Sequence, residues 1–152
     1  MRLAEHLNAQ VRAGAIPAPT HPVNFKALAR GPRGDRHVVD VAAVLAFVDE
    51  DERETAIDAA NAAVRRAYPE GGEPEEKRRN AVAYEILVRA LRDAEDSRAQ
   101  LSASVEELRK ALVQPVATRL YADYLAFVDS EFPSTPTPQQ LKELTSEAEK
   151  NS

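Results

Sequence analysis

The sequence predicts an all-α protein: a compact helical domain of five to six helices, with an extended proline-rich N-terminal arm and a C-terminal tail. Three observations carry that prediction. Apolar residues recur every three or four positions in several separate segments. Prolines and glycines stand between those segments more often than inside them. Two segments open with the form of a capping box, in which an acceptor side chain at the N-cap is followed three residues later by a Glu that reaches back.

In chain order, Leu3, Leu7 and Val11 recur at spacing four, and Gly14 with Pro17, Pro19 and Pro22 closes the segment. The spacing predicts a helix of about three turns with a narrow apolar stripe, too short to be stable alone in water. The segment 15–36 contains four prolines and two glycines and reads as an irregular arm anchored by Phe25 and Leu28. The stretch 37–48, HVVDVAAVLAFV, is β-like in Val38, Val39 and Val41 but helix-favouring in AAVLAF, and a helix is expected from about Asp40.

Asp51 to Glu54 has capping-box form, and Ile57, Ala60, Val64 and Tyr68 then share one helical face until Pro69. The loop 70–76, EGGEPEE, leads into a helix running to about Arg92. Its apolar positions Val82, Tyr84, Ile86, Leu87, Val88 and Leu91 cover more than one stripe, as expected of the central helix. DAEDS at 93–97 breaks the pattern. Ser104 to Glu107 supplies a second capping box before Leu108 and Leu112. Pro115 sits in the first-turn position of a further helix carrying Val116, Leu120, Tyr124, Phe127 and Val128, and Pro133 ends it. In the tail, Thr137 is the expected N-cap and Pro138 the first residue of a thin helix with Leu141, Leu144 and Ala148 on its edge. The expected organisation is therefore an N-terminal helix and arm over 1–36, a helical domain over 37–133, and a tail with a short amphipathic helix over 134–152.

The length of 152 residues suits one domain with a modest core. With no Cys, disulfides, zinc-thiolate sites and thiol nucleophiles are excluded, in keeping with a reducing cytoplasm. His6, His21 and His37 are far apart and match no zinc motif. The chain start lacks a signal-peptide apolar core, and no run of about 18 uncharged apolar residues occurs. A soluble cytoplasmic protein with no membrane contact is expected. The formal net charge of −5 conceals an asymmetry: residues 1–37 carry six Arg or Lys against two acids, and residues 129–152 carry five acids against two Lys.

The sequence points to no catalytic residues, no metal ligands and no cofactor. Carboxylates cluster in 49–52 and at Glu106 and Glu107, but as helix caps in water rather than in a cleft that would shift their pKa values. Gly-x-Ser-x-Gly, a Walker loop and Gly-x-Gly-x-x-Gly are all absent, and Gly31 and Gly34 flank Pro32 and Arg33 in a plain turn. The basic run Lys26, Arg30, Arg33, Arg36 and His37 could hold phosphates, but only Phe25 could stack on a base and the chain is acidic. Arginines paired with the acidic remainder, or an arm docked on an acidic protein surface, are the favoured readings over nucleic acid.

Protein contact is what remains. Tyr68, Tyr84, Tyr121 and Tyr124 lie at helical positions, and Tyr121, beside the main stripe, is the best placed for an interface. Leu3, Leu7 and Val11, together with Leu141 and Leu144, are the apolar edges hardest to place inside one compact domain, and such edges are where partners dock.

The stretch AYEILVRALRDAEDSRAQLSASVEELRKAL, followed by LYADYLAFVDSEFP, resembles the tail assembly chaperones of long-tailed bacteriophages and related prophages. The resemblance is one of pattern and spans about Val38 to Pro133. It lies in a Tyr-containing central helix that leads to Arg92-Asp93-Ala94-Glu95-Asp96, a small capped helix at Ser104 to Leu112, then Leu120-Tyr121 through Tyr124 and Phe127 into an acidic end.

What it implies is a small, mostly helical, non-enzymatic protein of the bacterial host cytoplasm. Such a protein binds the long tape measure protein during tail assembly, keeps it soluble and helps recruit tail tube subunits. The family has no catalytic residues to carry over, and a C-terminal extension can arise in it by ribosomal frameshifting. A structural subunit of a phage particle, or of another multisubunit assembly such as a homo-oligomer, is the alternative.

Overall fold

The computed structural model describes residues 2–12, 18–133 and 138–150. Among them are six helices and a three-stranded antiparallel sheet, so the all-α expectation is wrong and the fold is mixed. The elements are α1 (Leu3–Arg12), β1 (Thr20–Arg30), β2 (Arg36–Ala46), α2 (Glu50–Ala67), α3 (Glu75–Ala90), β3 (Leu91–Asp93), α4 (Val105–Ala111), α5 (Gln114–Glu131) and α6 (Pro138–Lys150).

The largest correction concerns the expected arm and the helix expected from Asp40. Thr20–Arg30 and Arg36–Ala46 form one long hairpin with Val23 opposite Ala43 and Phe25 opposite Val41. Val23 and Phe25 are buried while Asn24 and Lys26 are exposed, the period-two alternation of a half-buried strand. In β2, pairing and the β-branched valines override the helix propensity of AAVLAF.

The prolines do not oppose the sheet. Pro22 lies in β1 at the edge of the sheet order β1-β2-β3, where a missing N–H costs least. Pro32 sits in the turn, where Gly31 N–H donates to the Asp35 carbonyl at 2.7 Å and Gly34 N–H to the Gly31 carbonyl at 3.0 Å. Gly34 has φ +80°, the left-handed position that closes a three-residue hairpin loop. Residues 36–40 are exposed throughout, so the hairpin tip lies outside the core.

β3 adds a short third strand to the other side of β2, pairing Leu45 with Leu91, and for this reason α3 ends at Ala90 rather than near Arg92. One sheet face meets the helices. Val23, Phe25, Ala43, Leu45 and Leu91 join Leu87 and Tyr84 of α3, Leu108 of α4 and Leu120, Tyr124 and Phe127 of α5 in one core. As expected, α3 is the central helix, with Ala81, Ala83, Tyr84, Ile86, Leu87, Val88 and Ala90 buried. The Tyr84 hydroxyl donates to the Leu112 carbonyl at 2.8 Å and holds the end of α4 against α3. A smaller cluster of Ala60, Val64 and Ala81 zips α2 to α3.

The helix ends are set by side chains. Ser104 caps α4 as expected, its hydroxyl accepting from Glu107 N–H at 3.1 Å. For α2 the cap is Asp49, two residues before the expected box, with its carboxylate accepting from Glu52 N–H at 2.7 Å. α5 carries its proline in the first turn and stops just before Pro133, while α6 begins at Pro138; Thr137, its expected cap, lies outside the described residues.

Candidate protein-docking groove

On α5 the residues Leu120, Tyr124 and Phe127 are buried in the core. One position round the helix runs a second apolar row, Tyr121, Leu125, Val128 and Phe132, at spacings of four, three and four. This row is not covered: Leu125 is 49% exposed and Phe132 66%, while Tyr121 and Val128 are half-buried. Leu125 and, two turns on at the C-cap, Phe132 are exposed along one line with Val128 between them, which distinguishes the surface from scattered apolar residues.

Leu125, Val128 and Phe132 of this row, together with Tyr124, form one wall of a groove of about 580 Å³. The other wall is the turn from β2 into α2, with Phe47, Val48 and Asp49, and Arg92 of β3 contributes at the rim. Two features hold this turn in place. Val48 N–H donates to the Tyr124 hydroxyl at 3.1 Å, and Asp49 caps α2. Phe47 stacks on Phe127 with ring centroids 4.7 Å apart and planes at 9°, and tilts against Phe132 at 5.3 Å. His21 extends the stack from β1, 5.7 Å from Phe127. Rings in such offset and tilted arrangements fix one another's orientation beyond simple burial.

Around the apolar floor stand Glu50, Glu52, Arg53 and Arg92. Tyr121 and Tyr124 stack at 6.5 Å, and burial raises both phenols above the ordinary tyrosine value, with Arg53 opposing the shift. Glu50 and the neighbouring Tyr121 reinforce it at Tyr124, where the Val48 hydrogen bond works against it. Both hydroxyls are therefore neutral at physiological pH. The groove offers apolar area, two fixed rings and a mixed-charge rim, which suits an amphipathic segment of another protein.

Of the residues expected to bind partners, Tyr121 alone lies on this row. Leu3, Leu7 and Val11 are each more than half exposed on α1, which buries no residue. Leu141 and Leu144 fall on α6, but their side chains lie outside the described residues. Sequence reasoning missed Phe47, Leu125 and Phe132. The four-three-four row on α5 was the available signal, hidden because the stripe of Leu120, Tyr124 and Phe127 already accounted for that helix. Of the histidines, His6 bonds to Gln10 on α1 and His37 pairs with Asp35 in the hairpin. Among the described residues no group of His, Asp or Glu is arranged to hold a metal ion.

No protein-family model matches the chain, and neither a curated protein nor a solved structure is similar to it.

Proposed function

We propose that this protein is a non-enzymatic assembly chaperone that receives an amphipathic helix of a long client in the groove beside α5, the client being the tape measure protein of a bacteriophage tail. The observation that carries the reading is the open row Tyr121, Leu125, Val128 and Phe132. It has helical spacing, and its Leu125, Val128 and Phe132 line a groove with Phe47 opposite and a charged rim. A client helix laid there removes Leu125 and Phe132 from water, at about 25 cal/mol for each Å² of apolar surface covered. The net charge of −5 favours solubility of the chain that carries the groove. Among the described residues no helix is long and apolar enough to cross a membrane.

The client and the tail assembly role come from the pattern resemblance over Val38 to Pro133, and the groove supports only the reading that an amphipathic partner docks on this chain. The test is co-purification of the client with the Leu125→Asp/Phe132→Asp double variant. Loss of the client with an unchanged thermal melt supports the reading; retention at the wild-type level refutes it. A structural-subunit role has its own observation, the exposed stripe Leu3, Leu7 and Val11 on a helix that buries nothing. A subunit stays in purified particles, and a chaperone is absent from them.

A further inference from the structure

Among the described residues, the arginines of the hairpin do not pair with the acidic remainder of the chain. Arg30 and Arg36 stand directly opposite each other in the strand register, where like charges repel. Neither they nor Arg33 at the tip form an ion pair among the described residues. α4 adds to this charge. A cleft of about 780 Å³ between the hairpin and α4 is lined by Leu28, Arg30, Arg36, Arg109, Lys110 and Val113 among others. The single acid in its lining, Glu107, is engaged by Ala103 N–H at 3.2 Å. Arg109 rests over the Tyr84 ring at 5.0 Å, which fixes its position without neutralising it.

At the other end of the molecule the sign reverses. Asp51, Glu54 and Asp58 follow one another at spacings of three and four along α2, all exposed and none in an ion pair among the described residues. At roughly 3.3 Å per residue, β2 sets Arg36 about 33 Å from Ala46, and α2 begins beyond Ala46. Arg36 and the start of α2 therefore belong to opposite ends of β2.

We infer that the cleft between the hairpin and α4 binds the acidic face of α2 from a second copy of this chain, with Arg30 and Arg36 meeting Glu54 and Asp58. Guanidinium forks suit carboxylates held at fixed spacing on a helix, and Leu28 and Val113 give the contact an apolar component. Nucleic acid is the weaker occupant: among the described residues no aromatic side chain lines the cleft to stack a base, and the chain as a whole is acidic. One cleft and one stripe per chain support either a closed antiparallel pair or a head-to-tail series. This inference is independent of the client groove.

The test is sedimentation velocity on the full chain at ionic strengths of about 0.01 M and 1 M, where the Debye length is about 30 Å and 3 Å. Arg30→Glu/Arg36→Glu reverses the charge on the hairpin side of the cleft, and Glu54→Lys/Asp58→Lys reverses the two stripe positions that meet it. The expected result is association of the wild type at low salt and monomer at high salt. Each variant alone should need roughly tenfold more protein, or greater, to associate, and their equimolar mixture should associate like the wild type. A monomeric wild type at low salt overturns the inference. So does a mixture that stays monomeric while both variants melt like the wild type. A monomeric wild type that shifts duplex DNA, with the shift lost in Arg30→Glu/Arg36→Glu, assigns the cleft to nucleic acid instead.

Discussion

Replacing Tyr124 with Phe removes one oxygen and leaves the ring, so it isolates the bond that fixes the groove's second wall. The Tyr124 hydroxyl accepts from Val48 N–H at 3.1 Å, and both residues are buried. Without it the amide has no partner, and a buried unpaired donor costs about 1–3 kcal/mol. For a chain of this size 1 kcal/mol moves the melting temperature by roughly 2–4 °C, so a fall of about 2–12 °C is expected. Tyr121→Phe is the control, since that hydroxyl has no hydrogen bond among the described residues, and its expected change is within about 0.5 kcal/mol. Urea unfolding followed by circular dichroism measures both. A loss below about 0.5 kcal/mol for Tyr124→Phe, or equal losses in the two variants, refutes the claim that this bond anchors the turn.

Other outcomes test the rest of the account. Leu87→Ala, at a fully buried position of the central helix, should cost about 2–5 kcal/mol by the same unfolding assay, whereas Leu7→Ala on α1 should cost almost nothing. Gly34→Ala forces a Cβ into φ +80° with no neighbour within 4 Å, so its penalty of about 1–2 kcal/mol is purely backbone strain and should appear in the melt. Burial raises the phenols of Tyr84, Tyr121 and Tyr124, so folding favours their protonated form. That stability is complete below the unfolded value near 10 and is lost as pH climbs toward the folded values, which a series of melts from neutral to alkaline pH should show as a decline above about pH 10. If α1 and α6 also hold the client, Leu3→Asp/Leu7→Asp and Leu141→Asp/Leu144→Asp should each weaken co-purification; unchanged capture would remove those helices from the contact surface.

The helices were legible because their signals are local. Ser104 with Glu107, Pro115 in a first turn, and the wide apolar coverage of 82–91 each specify a helix without reference to anything distant. The sheet was not, because proline density masked a hairpin signal that was present: Val23 and Phe25 alternate with polar neighbours, and Gly-Pro-Arg-Gly-Asp at 31–35 fits a three-residue loop. AAVLAF was misread since its helix propensity is intrinsic and its strand is imposed by pairing with β1. The groove was only partly visible. Tyr121 could be placed beside the main stripe but stands next to the groove rather than in it, and Phe47 and Phe132 come together only through the end of β2 and the end of α5, about 85 residues apart in the chain.

Photo-crosslinking tests the docking groove most directly. A photoreactive amino acid at position 125 or 132, in protein co-expressed with the tape measure protein, should yield a covalent adduct to a helical segment of that client, whereas the same probe at Glu70, in the exposed loop between α2 and α3, should not. No adduct from positions 125 and 132, or an equal yield from position 70, would contradict the account.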